Sequence, residues 1–192
     1  MKRFFDLFAV LIALIFLFPV FVISLLIVFI SDGFPLLYIQ KRVGIDGQFF
    51  NLYKFRSMKK GSDRFGSTTF SNDNRIFYGG SFLRKYKIDE LAQLINVLKG
   101  EMSIVGPRPT VLEDYNKMTK EQKKRNVAVP GLTGLAQISG NTFLSWPERI
   151  ILDLEYIKKQ SFIFDLQIIF KTFVMILSNK IDSEINEEGG EW

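Results

Sequence analysis

The chain has 192 residues, a net charge of +5, and neither histidine nor cysteine. Its length suits one domain with a substantial hydrophobic core. The two absent residue types exclude Ser/His/Asp and Cys/His catalysis, His or Cys zinc sites, and disulfides, because each needs one of those side chains. Any chemistry must therefore depend on Asp, Glu, Lys, Arg, Ser, Thr or Tyr.

Charge is distributed unevenly along the chain. Residues 182–192 hold five acidic and no basic residues, so the part before them carries 25 basic against 15 acidic residues, a net +10. A body this basic suits an anionic partner, whether a phosphorylated substrate, an anionic lipid surface or nucleic acid. The acidic stretch itself has the composition of a disordered tail.

The N-terminal part of the chain is strongly apolar. Residues 7–31 carry no charge, which is long enough for a transmembrane helix. Pro19 lies near the centre and removes one backbone donor where no water can replace it. Basic residues flank the run on both sides, at Lys2 and Arg3 and again from Lys41, which favours the cytoplasmic face for both ends. A re-entrant helix bent at Pro19 and a spanning helix both stay open.

After Gly33 the pattern changes to short apolar runs separated by turns. The Asp46-Gly47 pair stands between two such runs and predicts a β-hairpin. Residues 59–75 are polar, basic and rich in Gly and Ser, which is typical of a surface loop.

Helical spacing of apolar residues dominates the second half of the chain. It predicts a helix over residues 88–98 that ends at Gly100. Further helices are predicted over residues 111–125, 147–159 and 162–177. Polar residues interrupt the last of these too often for a membrane span, so a position in the membrane interface or under the domain is expected.

Two carboxylates, Asp89 and Glu90, stand at the start of the predicted helix over residues 88–98. The unpaired backbone N–H groups and the helix dipole at that position favour an ionised Asp89. Arg84 and neighbouring lysines precede the pair. Acids among bases can hold a magnesium ion with its phosphate, or they can be ordinary helix-start acids in weak surface pairs.

Two further segments present cations. Prolines on both sides stiffen the backbone around Arg108, and a guanidinium held this way can bind phosphate bidentately, although a rigid turn with a solvated Arg is the alternative. Lys54 and Arg56 alternate with aromatic residues, which on a strand places both cations on one face. The second pattern is common at strand edges.

Taken in order, these segments resemble a known family. The motifs are YKFRSM (53–58), DEL (89–91), NVLKG (96–100), VGPRP (105–109) and PGLTG (130–134). They are similar to those of the bacterial sugar transferase family, the small monotopic phosphoglycosyl transferases, and the resemblance covers residues 1 to about 178.

The resemblance implies an α+β fold at the cytoplasmic face of the bacterial inner membrane. The expected parts are a re-entrant membrane helix over residues 1–31 that is broken at Pro19, and a small, mainly helical catalytic domain over residues 32–181 with a short β-hairpin and interfacial amphipathic helices. The acidic tail over residues 182–192 is expected to be disordered. Family members break the helix at a Ser-Pro pair, whereas Phe18 precedes the proline here.

The resemblance also implies an activity. Family enzymes move a sugar 1-phosphate from a UDP-sugar to undecaprenyl phosphate and release UMP, the first membrane step of glycoconjugate synthesis; an N-acetylated amino or deoxyamino sugar is expected here. By resemblance, Asp89 is the nucleophile of a ping-pong route through a phosphosugar-aspartate. Glu90 assists in binding Mg²⁺ together with Asp89 or handles a proton, and Lys54, Arg84 and Arg108 bind phosphate.

Other expectations concern specificity and partners. Asn141 stands where relatives often carry Arg and is an expected contact near the sugar. Anionic lipids and downstream membrane glycosyltransferases are further expected partners, whereas a nucleic-acid binder fits the charge but not the apolar run. The alternative is a non-enzymatic membrane-surface protein with a basic lipid-binding body and an acidic recruiting tail, in which Asp89→Asn would be silent.

Overall fold

A computed structural model describes residues 1–62, 73–140 and 143–178 of the chain. The helices are α1 (Lys2–Asp32), α2 (Tyr78–Lys85), α3 (Leu94–Lys99), α4 (Leu112–Lys117), α5 (Leu135–Ile138), α6 (Trp146–Lys159) and α7 (Phe162–Leu177), and the strands are β1 (Leu37–Val43), β2 (Phe49–Phe55), β3 (Ser103–Val105) and β4 (Gly131–Thr133). Short 3₁₀ helices occupy Ile45–Gly47, Ile88–Gln93 and Gln122–Val127. The structure thereby confirms a mostly helical fold with short strands, preceded in the chain by a long apolar helix. The predicted acidic tail and most of the predicted loop over residues 59–75 lie outside the described residues.

Helix α1 is continuous from Lys2 to Asp32 and includes Pro19, so the helix is not interrupted at that residue, whereas the predicted bend there stays a prediction. A single proline removes one N–H donor, and the hydrogen bonds on either side keep the helix intact. The Ser24 hydroxyl donates to the Val20 carbonyl at 2.6 Å, within its own turn. The helix is long and apolar enough to cross a membrane, with a mean hydropathy of 3.2 over its most apolar 18 residues.

One face of α1 packs against the rest of the chain. Val10 is buried in a core with Leu52, and Val28 is buried in a second core with Phe55 and Leu83. The opposite face of the helix exposes large apolar side chains, among them Phe4, Phe8, Ile15, Phe16 and Ile30. The helix is therefore part of the domain's core on one side and an open apolar surface on the other.

The predicted hairpin is confirmed. Strands β1 and β2 pair antiparallel, from Leu37 opposite Phe55 to Val43 opposite Phe49. The turn between them is the 3₁₀ helix Ile45–Gly47, in which Asp46 has a left-handed backbone with φ of 51°. Asp is one of the few residue types that adopt this conformation readily, which explains the turn signal in the sequence.

Two predicted helices are each divided in the structure. The helix over residues 88–98 begins as the 3₁₀ helix Ile88–Gln93 and continues as α3, and Gly100 ends it with φ of 85° as predicted. The helix over residues 111–125 is wrong as a single element. Met118 is extended, with ψ of 138°, and separates α4 from the 3₁₀ helix Gln122–Val127.

The last two predicted helices are confirmed as α6 and α7. Ser145 and Glu148 form a capping box at the start of α6. In helix α7, Ile168 is buried with Tyr156 in a third core. Eight large apolar side chains of the same helix are exposed. These are Phe162, Ile163, Leu166, Phe170, Phe173, Val174, Ile176 and Leu177. Helix α7 therefore has an exposed apolar face that suits contact with lipid, and its position in the membrane interface stays a prediction.

Candidate active site

A cavity of about 630 Å³ lies along the β1–β2 hairpin. The hairpin and residues 56–62 form one wall, and α2 and the 3₁₀ helix Ile88–Gln93 contribute Arg84 and Asp89. Among the described residues that line it are six cationic side chains, including Lys54 and Arg84, and one carboxylate, that of Asp89. The cavity therefore suits an anionic ligand and brings together three of the predicted site residues.

The turn after α2 orients Asp89. Lys87 adopts a left-handed backbone with φ of 54° and directs the chain into the 3₁₀ helix Ile88–Gln93. Ile88 and Leu91 pack on the core around Val28, and Ala92 is fully buried. Since these apolar side chains fix the rotation of the short helix, Asp89 is left on the side that faces the cavity.

Burial controls the Asp89 carboxyl. The residue is 6% exposed, and its Oδ1 atom is buried with no hydrogen-bond partner in the described part of the chain. Burial raises the pKa of Asp89, and the charges of Lys54 and Arg84 oppose that rise. Desolvation raises the pKa of Asp89, whereas the helix start was expected to favour the ionised carboxylate; that Asp89 is ionised stays a prediction.

Glu90 lies between two cations. Its Oε1 atom accepts hydrogen bonds from Lys54 Nζ and from an Arg108 guanidinium nitrogen, each at 2.8 Å. Burial acts to raise the pKa of Glu90, but Arg108 and Lys54 hold it well below its usual range. Burial also lowers the pKa of Lys54. Glu90 is thus an ionised counter-ion that holds Lys54 and Arg108 beside Asp89. Its carboxylate is largely shielded from solvent, unlike the weak surface pairs that were the alternative.

Arg108 is held by its backbone as well as by Glu90. Strands β3 and β4 pair in parallel, and Gly106 N donates to Thr133 O at 2.9 Å across them. A side chain at Gly106 would collide with backbone atoms of the β4 segment, so only glycine permits this approach. Arg125 donates to the Arg108 carbonyl at 2.8 Å and forms an ion pair with Asp153. These contacts hold the Arg108 backbone in place, and phosphate binding by its side chain stays a prediction.

The sequence did not single out two residues of the site region. Arg42 hydrogen-bonds to Gln40 Oε1 at 2.6 Å, and burial together with the nearby charge of Arg108 lowers its pKa to about 10. Arg125 reaches Asp153, 28 positions further along the chain. The only sequence feature that pointed to Arg42 was its place in the basic run after the apolar segment. No local sequence feature pointed to Arg125.

Comparison with known proteins identifies the family. The profile of the bacterial sugar transferases matches residues 1–179. The chain is 36% identical to the uncharacterized sugar transferase EpsL of Bacillus subtilis, covering 100% of this chain and 94% of that protein. It is 38% identical to the exopolysaccharide production protein ExoY of Sinorhizobium fredii, covering 89% and 83%. The chain belongs to the bacterial sugar transferase family.

A relative with a stated reaction is also similar to this chain. The UDP-glucose:undecaprenyl-phosphate glucose-1-phosphate transferase of Escherichia coli is 38% identical over 94% of this chain and 41% of its own length. As a bacterial sugar transferase, the protein is an enzyme of the transferase class. The family resemblance predicted from the ordered motifs is confirmed.

The described residues of this sugar transferase contain no cluster of three or more acidic side chains that could hold a metal ion. Asp89 fits a magnesium ion as a single protein ligand, because its Oδ1 is unpartnered and magnesium in such sites takes its other ligands from substrate phosphates and water. Glu90 fits less well, since its carboxylate already pairs with Lys54 and Arg108.

One predicted site residue lies elsewhere in the structure, and another lies outside the described residues. Pro19 is exposed in the middle of α1, apart from the cavity. Asn141 lies outside the described residues. The predicted contact of Asn141 with the sugar stays a prediction for this sugar transferase.

Proposed function

We propose that the protein transfers a sugar 1-phosphate from a UDP-sugar to undecaprenyl phosphate and releases UMP. The observation that carries the proposal is the buried carboxylate of Asp89, which has an oxygen without a partner among the described residues and lies in a cavity whose other charged lining residues are all cations. A carboxylate in that position can act as a nucleophile and attack the phosphorus of a bound phosphate ester. Relatives named for glucose and galactose phosphate transfer to undecaprenyl phosphate support the same reaction.

The chemistry divides into two steps that share Asp89. In the first, a carboxylate oxygen of Asp89 bonds to the sugar-bound phosphorus, the bond from that phosphorus to the bridging oxygen breaks, and UMP leaves. In the second, an oxygen of undecaprenyl phosphate bonds to the same phosphorus and displaces the carboxylate. The product is undecaprenyl diphosphate sugar, and Asp89 returns to its starting form.

The environment of Asp89 favours the first step. Burial removes water from the carboxylate, which leaves it a stronger nucleophile than an Asp on the surface. Lys54 and Arg84 face the same cavity, and Arg108 adjoins it through Glu90, so positive charge is in place where negative charge develops on UMP. Magnesium, when bound at Asp89, supplies further positive charge beside the phosphate oxygens.

The identity of the sugar stays a prediction. An N-acetylated amino or deoxyamino sugar was expected from the resemblance, whereas named relatives use glucose or galactose. A panel of UDP-glucose, UDP-galactose and UDP-N-acetylated sugars separates these possibilities by the rate of UMP release.

We further propose that the enzyme lies at the cytoplasmic face of the bacterial inner membrane. The exposed apolar faces of α1 and α7 suit contact with lipid, and the basic body suits an anionic leaflet. Both ends of α1 contact the same domain, which favours the re-entrant over the spanning arrangement.

The test is a UMP-release assay with purified protein, magnesium, the UDP-sugar panel and undecaprenyl phosphate. Wild type should turn over with one or more donors, and Asp89→Asn should lose at least about 10³-fold in rate, as expected for removal of a nucleophile. Glu113→Gln, which removes an exposed acid on α4, should retain full rate.

Intact-mass measurement tests the two-step covalent route separately from the transferase activity. With donor but no acceptor, wild type should gain the mass of one phosphosugar, and Asp89→Asn should gain none. Full activity in Asp89→Asn would contradict the assigned nucleophile, whereas absence of UMP release by wild type with every donor would favour the non-enzymatic alternative. UMP release that needs both substrates and leaves no adduct would contradict the two-step route alone.

A further inference from the structure

The cavity has two chemically different ends. The hairpin register places Lys54 opposite Tyr38, with Gln40 and Arg42 further toward the turn. In the other direction β2 ends at Phe55, and the chain continues as Arg56 to Ser62 along the C-terminal end of α1, where Lys60 N donates to Asp32 Oδ2 at 3.1 Å. At the Arg42 end, the Arg42 guanidinium donates to the carbonyl of Pro109, next to Arg108, at 3.3 Å, and the other end adjoins the end of the apolar helix.

Arg56 lies at the end near α1 and has unused donors. It is 6% exposed, and one terminal nitrogen donates to the carbonyls of Asp32 and Gly33 at 2.8 and 2.6 Å and lies 3.1 Å from Asp32 Oδ2, with which it forms an ion pair. Its Nε and its other terminal nitrogen are buried and have no partner in the described residues, although the residue lines the cavity. Buried N–H groups of a guanidinium are costly to leave unpaired, so these two donors suit the oxygen atoms of a ligand, and phosphate oxygens match a guanidinium best.

The walls at this end suit a ligand with a polar head and an apolar body. Pro35, Leu37, Ile39 and Met58 line the same cavity, and Leu37 lies opposite Phe55, the residue before Arg56. Phe34, which is 65% exposed, precedes Pro35, and its ring packs edge-on against that of Phe29 in α1. A phosphate with a long hydrocarbon chain can therefore place its head at Arg56 while its chain follows the helix surface into lipid.

We propose that Arg56, with Lys59 and Lys60 at the rim, binds the phosphate monoester of the lipid acceptor. The role of this phosphate as acceptor rests on the proposed function. Lys54, Arg84 and Arg108 are then left for the donor diphosphate, so the two phosphate groups approach Asp89 from opposite ends of one cavity. The contact between Arg56 and the last carbonyls of α1 fixes the headgroup site relative to the membrane helix.

The test compares equilibrium binding to the purified full chain in detergent micelles. The probes are radiolabelled undecaprenyl phosphate, undecaprenol without phosphate, and inorganic phosphate. Arg56→Gln should weaken binding of undecaprenyl phosphate at least about tenfold, the usual effect of losing a charge-assisted hydrogen bond. Undecaprenol should bind wild type and variant equally, and inorganic phosphate should bind far more weakly than the lipid.

A second variant guards against misfolding, because Arg56 also holds the end of α1. Lys59→Gln with Lys60→Gln alters only exposed side chains and should weaken binding of undecaprenyl phosphate several-fold. Lys158→Gln with Lys159→Gln, another exposed neighbouring pair, is the matched control and should change nothing. In the transfer assay, the Lys59/Lys60 variant should raise KM for undecaprenyl phosphate and leave KM for the UDP-sugar unchanged.

The outcomes separate this inference from the proposed function. Undiminished binding of undecaprenyl phosphate in both variants, with transfer intact in wild type, overturns the headgroup site alone. Inorganic phosphate that binds as tightly as the lipid overturns the lipid assignment in favour of a free phosphate site. Arg56-dependent lipid binding without any UMP release supports the headgroup site and refutes the transferase reaction.

Discussion

At the scale of single residues, the fold holds the ionisable carboxyl of Asp89 in a buried position that is energetically unfavourable for its charge. Its carboxyl is buried, one oxygen lacks a partner among the described residues, and its pKa is raised by burial although Lys54 and Arg84 oppose the rise. The neighbouring Glu90 is partly buried and forms ion pairs with Lys54 and Arg108, and its pKa is lowered. Adjacent acids with opposite pKa shifts are typical of sites where the two groups have different roles.

Asp89→Asn should therefore abolish transfer while stabilising the fold. The amide has the same shape but no charge to desolvate, and the free energy of unfolding at pH 7 should rise by on the order of 1 kcal/mol, a common gain when active-site strain is relieved. Since burial raises the folded-state pKa of Asp89 above its unfolded value, the penalty is absent below the unfolded pKa, grows as pH rises above it, and is complete above the folded-state pKa. Variant and wild type should converge as pH falls toward about 4, the ordinary Asp value.

Denaturant unfolding of both proteins in detergent micelles from pH 4 to pH 8 measures this effect. Glu113→Gln, on the exposed side of α4, should follow the wild-type curve at every pH. An Asp89→Asn protein that is less stable than wild type at pH 7 would show that the ionised carboxylate contributes to the fold.

At the scale of elements, a buried ion pair links α6 to the loop that carries Arg108. Arg125, in the 3₁₀ helix Gln122–Val127, and Asp153, in α6, each have a side chain 2% exposed, and their nitrogen and oxygen atoms lie 2.6 Å apart. The same guanidinium donates to the Arg108 carbonyl. Three segments far apart in sequence thus meet at one cation, which makes Arg125 a positioning residue for Arg108.

Asp153→Asn should destabilise the protein, because it leaves the Arg125 charge buried without a counter-ion. Loss of one partner of a buried pair costs roughly 3–5 kcal/mol, which denaturant unfolding can measure. Glu155→Gln is the matched control on the same helix: its ion pair with Lys159 is exposed, and its removal should change the free energy of unfolding by less than about 1 kcal/mol. Equal effects of the two variants would contradict the structural role of the Arg125–Asp153 pair.

The same elements show what could be predicted from the sequence. Helices α6 and α7, the hairpin and the stop at Gly100 follow from local signals such as apolar spacing, capping residues and a left-handed turn. The division after α4 also had a local signal: Thr119 and Gln122 exchange hydrogen bonds at a new helix start, but the continuing helical pattern outweighed it. The contacts of Arg125 and Arg56 join distant segments, and no periodicity carries such information.

At the scale of the whole molecule, α1 is fixed at both ends to one domain. At its start, Arg3 donates to the carbonyls of Val97 and Leu98 at the end of α3, and Asp6 accepts from Ser103 at 2.8 Å. At its other end, the last carbonyls of the helix accept from Arg56. Between these points Val10 and Val28 are buried in the domain's cores.

This arrangement predicts the topology. A helix of 31 residues is about 46 Å long, which exceeds the roughly 30 Å of a bilayer core, yet a helix that crosses the membrane cannot have both ends against a domain on one side. We therefore expect α1 to enter from the cytoplasm, keep its exposed face in lipid, and return its first residue to the cytoplasm with the domain. The exposed side chains of Phe16 and Ile15 should then lie in lipid.

Single-cysteine labelling tests this directly, because the natural chain has no cysteine that could react. A cysteine added ahead of Met1 and the domain reporter Lys158→Cys should both resist a membrane-impermeant maleimide in intact spheroplasts and react after lysis. Phe16→Cys should stay unreactive both in intact spheroplasts and after lysis, because the bilayer still covers this position until detergent is added. Labelling of the N-terminal cysteine from the periplasm, with Lys158→Cys still protected, would establish a spanning helix. The contacts of Arg3 and Asp6 with the domain could not then exist in the membrane-bound enzyme.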